Sequence, residues 1–116
     1  MASGRKLKPH SPLDDNQLSA VADLFSTLSE PSRLRILQIL QHSPASVGEI
    51  VEQTAFKQAN VSKQLGILQS AGVISRRQDG NRAIYSIEMP LVFELCELVC
   101  RGVAQHAAAY AAALNR

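Results

Sequence analysis

Between residues 70 and 90 the apolar pattern changes period twice, and this switch restricts the fold more than any other feature of the chain. Upstream, apolar residues recur at helical spacing. The runs Val73-Ile74-Ser75-Arg76-Arg77 and Ala83-Ile84-Tyr85-Ser86-Ile87 are instead rich in β-branched and aromatic residues, with Gln78-Asp79-Gly80-Asn81-Arg82 between them. Asp-Gly between two such runs predicts a β-hairpin. Pro90 then opens a final helix predicted over residues 90–112, with Leu91, Leu95, Leu98, Val99, Val103 and Ala107 on its apolar face.

Four helices are expected before the hairpin. In the first, over 17–29, Leu18, Val21, Ala22, Phe25 and Leu28 share a face, and Asp14, Asp15 or Asn16 supplies the cap. Pro31 separates it from a second helix starting at Ser32, in which Leu34, Ile36, Leu37, Ile39 and Leu40 crowd toward a core. Ser46 and Glu49 have the spacing of a capping box at the start of a third helix that runs to about Gln53. The fourth, over 58–70, points Val61, Leu65 and Leu68 inward with Ile67 beside them, and Gly72 follows its C-terminus. The expected fold is mainly α with a small β-hairpin, in the order α-α-α-α-β-β-α.

At 116 residues the chain is long enough for one domain. Its 46 % apolar content is that of a globular protein. No apolar run approaches the ~20 residues that cross a bilayer, and no leader pattern opens the chain, so a cytoplasmic domain is expected. Residues 1–16, with Arg5, Lys6 and Lys8 among Pro, Gly and Ser, read as a flexible basic arm, and 17–113 as the folded domain.

A short helix, a brief link, a second helix and a hairpin make the plan of a winged helix-turn-helix. Such a unit needs a helix anchored on one side and polar on the other, able to lie in a DNA major groove. The fourth helix meets this demand with Gln58, Asn60, Ser62, Lys63 and Gln64 around the anchors Val61 and Leu65. Gln and Asn pair with adenine, and Lys with guanine or phosphate. Arg76, Arg77 and Arg82 in the hairpin suit phosphate or minor-groove contact. The net charge is only +2, but residues 57–82 carry five basic side chains (Lys57, Lys63, Arg76, Arg77, Arg82) against Asp79 alone. A polar helix face by itself is usually only a solvated face; the order of elements and the localised charge together point to duplex DNA.

Residues 25–37 (FSTLSEPSRLRIL), 46–50 (SVGEI), 58–65 (QANVSKQL) and 68–74 (LQSAGVI), followed by 79–82 (DGNR) and 85–87 (YSI), resemble the ArsR–SmtB family of bacterial winged-helix repressors over about residues 18–88. The resemblance implies a homodimer joined through the first and last helices. It also implies a repressor that leaves operator DNA when an inducer binds or a thiol is modified.

The family's familiar sensors do not match. Where some members have a Cys-Val-Cys type motif, this chain has Ser46-Val47-Gly48-Glu49-Ile50, and Glu94-Leu95-Cys96 stands where others carry Asp-x-His. The second helix, Arg33 to Gln41, has no thiol to pair with one in the last helix. What remains is Cys96 and Cys100, one turn apart on the last helix. They form either a dithiol for a soft metal, a metalloid or an oxidant, or a pair of small apolar packing residues. His10, His42 and His106 show no ligand spacing. Tyr85 is expected to pack across the strands rather than touch a base. Two other functions remain beside the leading one: a winged-helix module for protein–protein contact, and a regulator with no ligand. No paired acid and base, phosphate loop or activated nucleophile supports an enzyme.

Overall fold

The computed structural model describes residues 11–114, so the basic arm expected at residues 1–16 falls largely outside it. The elements run α1 (Asp15–Leu28), α2 (Pro31–His42), α3 (Val47–Glu52), α4 (Gln58–Ser70), β1 (Ile74–Asp79), β2 (Arg82–Ile87), α5 (Pro90–Gln105) and α6 (Ala107–Leu114). Local chemistry sets most of these boundaries. Asp14 caps α1 in a reciprocal box with Gln17, and Ser46 caps α3 in the box expected with Glu49. Pro31 and Pro90 occupy the first turns of α2 and α5, where a missing N–H costs nothing. Gly72 takes φ 76° after α4 and turns the chain into β1.

The hairpin is tighter than the five-residue connection expected. Gly80 has φ 64° and Asn81 a negative φ, the pattern of a type II′ turn, so the strands stay paired from Ile74 with Ile87 to Asp79 with Arg82. Arg82 is therefore a strand residue. At the other end the wing is tied down by an isolated bridge: Ala45 N–H donates to the Tyr85 carbonyl at 3.0 Å, and Tyr85 N–H to the Ala45 carbonyl at 2.8 Å. Tyr85 thus spends its backbone groups on Ala45 and faces Arg76 as a close, non-hydrogen-bonded cross-strand pair.

The core gathers Leu28 of α1, Ile36, Leu37 and Leu40 of α2, Ile50 of α3, and Val61, Leu65 and Leu68 of α4, with Val73, Ile74, Val92 and Cys96. Two helices meet it along a different line from the one expected. In α1, Leu24 and Leu28 turn inward, whereas Leu18, Val21 and Phe25 are exposed. In α5, Val92 and Cys96 are buried, whereas Leu91, Leu98, Val99 and Val103 are exposed, Leu98 at 69 %. Leu18, Val21 and Phe25 of α1 and Leu91 and Leu98 of α5 form apolar rows beside the buried ones that the chain itself leaves open, whereas Val99 and Val103 continue the line of Val92 and Cys96 past the end of the core. Ile67 and Leu34, expected in the core, also reach solvent.

The last helix is not continuous. His106 leaves helical geometry (φ −109°, ψ 11°) with its N–H shared between the Gly102 and Val103 carbonyls, and α6 begins beyond it. Past Cys96 no described side chain of α5 or α6 is buried, so tertiary packing does not enforce a straight rod there.

Candidate nucleic-acid interface

Residues 53–57 join α3 to α4, with Thr54 closing the link: its hydroxyl donates to the Ile50 carbonyl and accepts from Phe56 N–H. Helix α4 is seated by Val61, Leu65 and Leu68, all 1 % exposed or less. Spacing of 3.6 residues per turn then turns Ala59, Lys63 and Gly66 to the opposite side, with Gln58 and Ser62 along one margin. All five are exposed. Lys57 occupies the N-cap position of α4 and makes no side-chain cap, so the first N–H groups of this helix lack the partner that Asp14, Glu30 and Ser46 give the three earlier helices. The bare helix start adds to the charge of Lys57 a positive character that counting charges does not show. The absence of Ser, Thr, Asp or Asn at position 57 was the available signal.

Gln64 is the exception among the five polar residues expected on the outer face. It is 6 % exposed and points into the protein, because position 64 falls next to Leu68 at the edge of the buried arc, on the side of Asn60. Its amide oxygen accepts from Arg33 Nη1 at 3.0 Å, and its Nε2 donates to Asn60 Oδ1 at 3.0 Å. Arg33 is held in turn through Nε at the Thr27 carbonyl, 2.6 Å away. Asn60 is half-buried at the margin of the exposed surface.

The three wing arginines do not act as one cluster. Side chains alternate along a strand, so Arg77 shares a face with Ile84 and Arg82, and Arg76 shares the other with Tyr85. Arg76 and Arg77 are exposed, Arg76 bonding only to Gln78 among the interactions seen. Arg82 forms an ion pair with Glu49 of α3 at 3.2 Å. Glu49 is held below the usual carboxylate range chiefly by the Ser46 backbone N–H, then by the Ser46 side chain, with Arg82 adding a smaller pull. A depressed folded-state pKa means this stabilisation is complete above the ordinary Glu range and is lost as pH falls through the lowered value. Melting of the wild type should therefore decline more steeply with acid than melting of Glu49→Gln, and parallel acid profiles would refute this.

The two cysteines differ. Cys96 is buried and Cys100 exposed, and no disulfide joins them. Burial pushes the Cys96 thiol up, and neighbouring Cys100 adds to the shift. They line one apolar cavity of about 280 Å³ with Phe25, Leu28, Leu34, Leu95 and Val99, between α1, α2 and α5. Among the described residues no group of three or more His, Cys, Asp or Glu is placed to hold a metal ion, and none of the helices is long and apolar enough to cross a membrane.

Residues 28–77, from the end of α1 into the wing, match a family model described as a helix-turn-helix domain. The chain is 45 % identical over 75 residues to the uncharacterized HTH-type transcriptional regulator Rv0081 of Mycobacterium tuberculosis, a match spanning 64 % of this chain and 66 % of that protein. The Rv0081 crystal structure superposes with a TM-score of 0.72 at 35 % identity, covering 84 % of this chain and 99 % of that one. The biofilm growth-associated repressor of Xylella fastidiosa is 35 % identical over 81 residues, 68 % of this chain and 71 % of its own. A solution structure of the homodimeric winged helix-turn-helix DNA-binding domain Mb0332 of Mycobacterium bovis, described as a possible ArsR-family transcriptional regulator, superposes with a TM-score of 0.71 at 29 % identity, over 86 % of this chain and 92 % of that one. These relatives are regulators and repressors rather than enzymes, and the two solved structures share the fold of this chain. The chain belongs to the ArsR family of winged helix-turn-helix transcriptional regulators.

Proposed function

We propose that this protein is a homodimeric, sequence-specific repressor that holds operator DNA with α4 and the wing. The observation that carries the reading is the exposed polar side of α4, with Gln58, Ser62 and Lys63 on a helix whose other side is locked in the core, joined through a short turn to a wing bearing exposed Arg76 and Arg77. Asn60 stands at the edge of that surface, and Arg82, paired with Glu49 through Nη2, keeps further N–H donors for a phosphate. The uncapped start of α4 adds N–H groups suited to a phosphate oxygen. Dimerisation is supported by the exposed stripes of α1 and α5, which a second copy would bury and which would set two recognition helices one DNA turn apart.

The experiment is binding of the purified protein to the DNA upstream of its own gene across a salt series. Affinity should fall steeply with salt, and Lys63→Ala with Arg77→Ala should make the slope shallower by about one for each phosphate contact removed. Binding that ignores both substitutions would indicate a module for protein contact instead.

For the signal, the reading is that operator release follows modification of Cys96 and Cys100, or capture there of a soft metal or metalloid. Both thiols open on the same cavity beside the stripes that a second copy would cover, so a change in their bonding alters the seam between protomers. Exposed Cys100 is the more reactive partner, since burial keeps Cys96 protonated. Oxidant or arsenite should release the wild type from DNA and leave Cys96→Ser/Cys100→Ser bound. Equal behaviour of the two proteins would make the cysteines packing residues and the regulator one without a thiol signal.

A further inference from the structure

We propose that Asn60 reads DNA as a donor, presenting its amide N–H groups to a base edge made of acceptors, and that Gln64 is the positioning residue that sets this polarity. The inference rests on the DNA-binding reading above and goes beyond it to a base preference. It follows from the chain Arg33–Gln64–Asn60. A guanidinium has donors only, so the Gln64 oxygen must face Arg33. That places the Gln64 NH₂ toward Asn60, which must answer with its own oxygen. Reversing either amide would set donor against donor in a site where Gln64 is 6 % exposed. The origin of the chain is fixed as well, because Arg33 Nε is spent on the Thr27 carbonyl.

Asn60 therefore shows Nδ2 and its two N–H groups outward, and among the described residues this nitrogen has no protein partner. A free asparagine pairs bidentately with adenine by donating to N7 and accepting from N6. Here the oxygen is already engaged by Gln64. Guanine, with N7 and O6 side by side, or thymine O4 offers acceptors to the outward N–H groups, whereas adenine offers them N7 alone and sets its N6 donor against the second N–H. The adenine pairing expected from residue type alone is thus replaced by its complement in polarity.

The test is selection of binding sites by the full-length protein from a randomised duplex library, comparing wild type with three variants. In the wild type, one position of each half-site should be guanine or thymine. Asn60→Ala should erase that preference, with discrimination there falling roughly 5- to 100-fold. Asn60→Asp keeps an oxygen for Gln64 but turns the outer end into an acceptor, and should switch the position to cytosine, whose N4 donates. Gln64→Glu still accepts from Arg33 but cannot donate to Asn60, and should admit adenine at the same position. Adenine at that position in the wild type, an unchanged site for Asn60→Ala, or guanine retained by Asn60→Asp would each overturn the proposal. Recovery of no preferred sequence together with no salt-sensitive binding would be failure of the DNA-binding reading itself. A specific site with the wrong base is failure of the polarity argument alone.

Discussion

Leu98→Glu is expected to leave the protein folded but monomeric, and to weaken operator binding by about 100-fold or more. Leu98 is 69 % exposed in one protomer, so the substitution touches no packed neighbour there. It lies on one stripe with Leu91, and α1 offers Leu18, Val21 and Phe25 as a second exposed apolar row. In an isologous dimer any residue of the shared patch is buried twice, so two carboxylates would lose hydration together. A loss of about 3 kcal/mol, at the lower end of what burying unpaired charge costs, corresponds to roughly 100-fold in affinity. Sedimentation velocity at micromolar concentration, with binding measured on the same sample, checks both halves. A dimeric Leu98→Glu with full affinity would move the interface elsewhere.

Leu65→Ala is expected to have the largest effect on stability. Leu65 is 1 % exposed and is one of the three side chains that hold α4 to the body of the domain. Truncation removes apolar contacts and leaves a cavity, a change that typically costs about 2–5 kcal/mol. For a domain near this size the melting temperature should fall by at least about 10 °C. Ser62→Ala, three positions earlier and exposed, should melt within a degree or two of wild type. A small shift for Leu65→Ala would mean that α4 is held by something other than its apolar anchors.

The order of elements was legible because each boundary has its own local signal. Asp14, Ser46, Pro31, Pro90 and the Gly80 turn would act the same way in a peptide, and all of them operate in the structure. The apolar faces were harder to assign. Periodicity reports that Phe25 and Leu98 are apolar on a helix, but a stripe left at the surface has the same spacing as one destined for the core. Leu24 and Val92, which do the inward packing, lie beside the more obvious rows, so spacing alone does not single them out.

The proposed recognition surface divides similarly. Gln58, Ser62 and Lys63 are exposed, as their positions on the wheel implied. Gln64 looked equivalent by residue type, yet its partner Arg33 is 31 residues away, and no local pattern reveals such a pairing. The break at His106 was also unreadable, since alanine-rich sequence favours helix on both sides of it.

The bridge between Ala45 and Tyr85 has a mechanical consequence. With the root of the wing pinned to the segment between α2 and α3, the hairpin behaves as a lever whose fulcrum is Ala45, itself 4 % exposed. Warming should loosen the tip at Gly80 and Asn81 well before the root, and the Ala45 and Tyr85 amides should be among the last of the wing region to exchange their hydrogens with solvent. A displacement of the end of α2 would then be delivered to the arginines at the far end as a rotation, enlarged by the length of the arm.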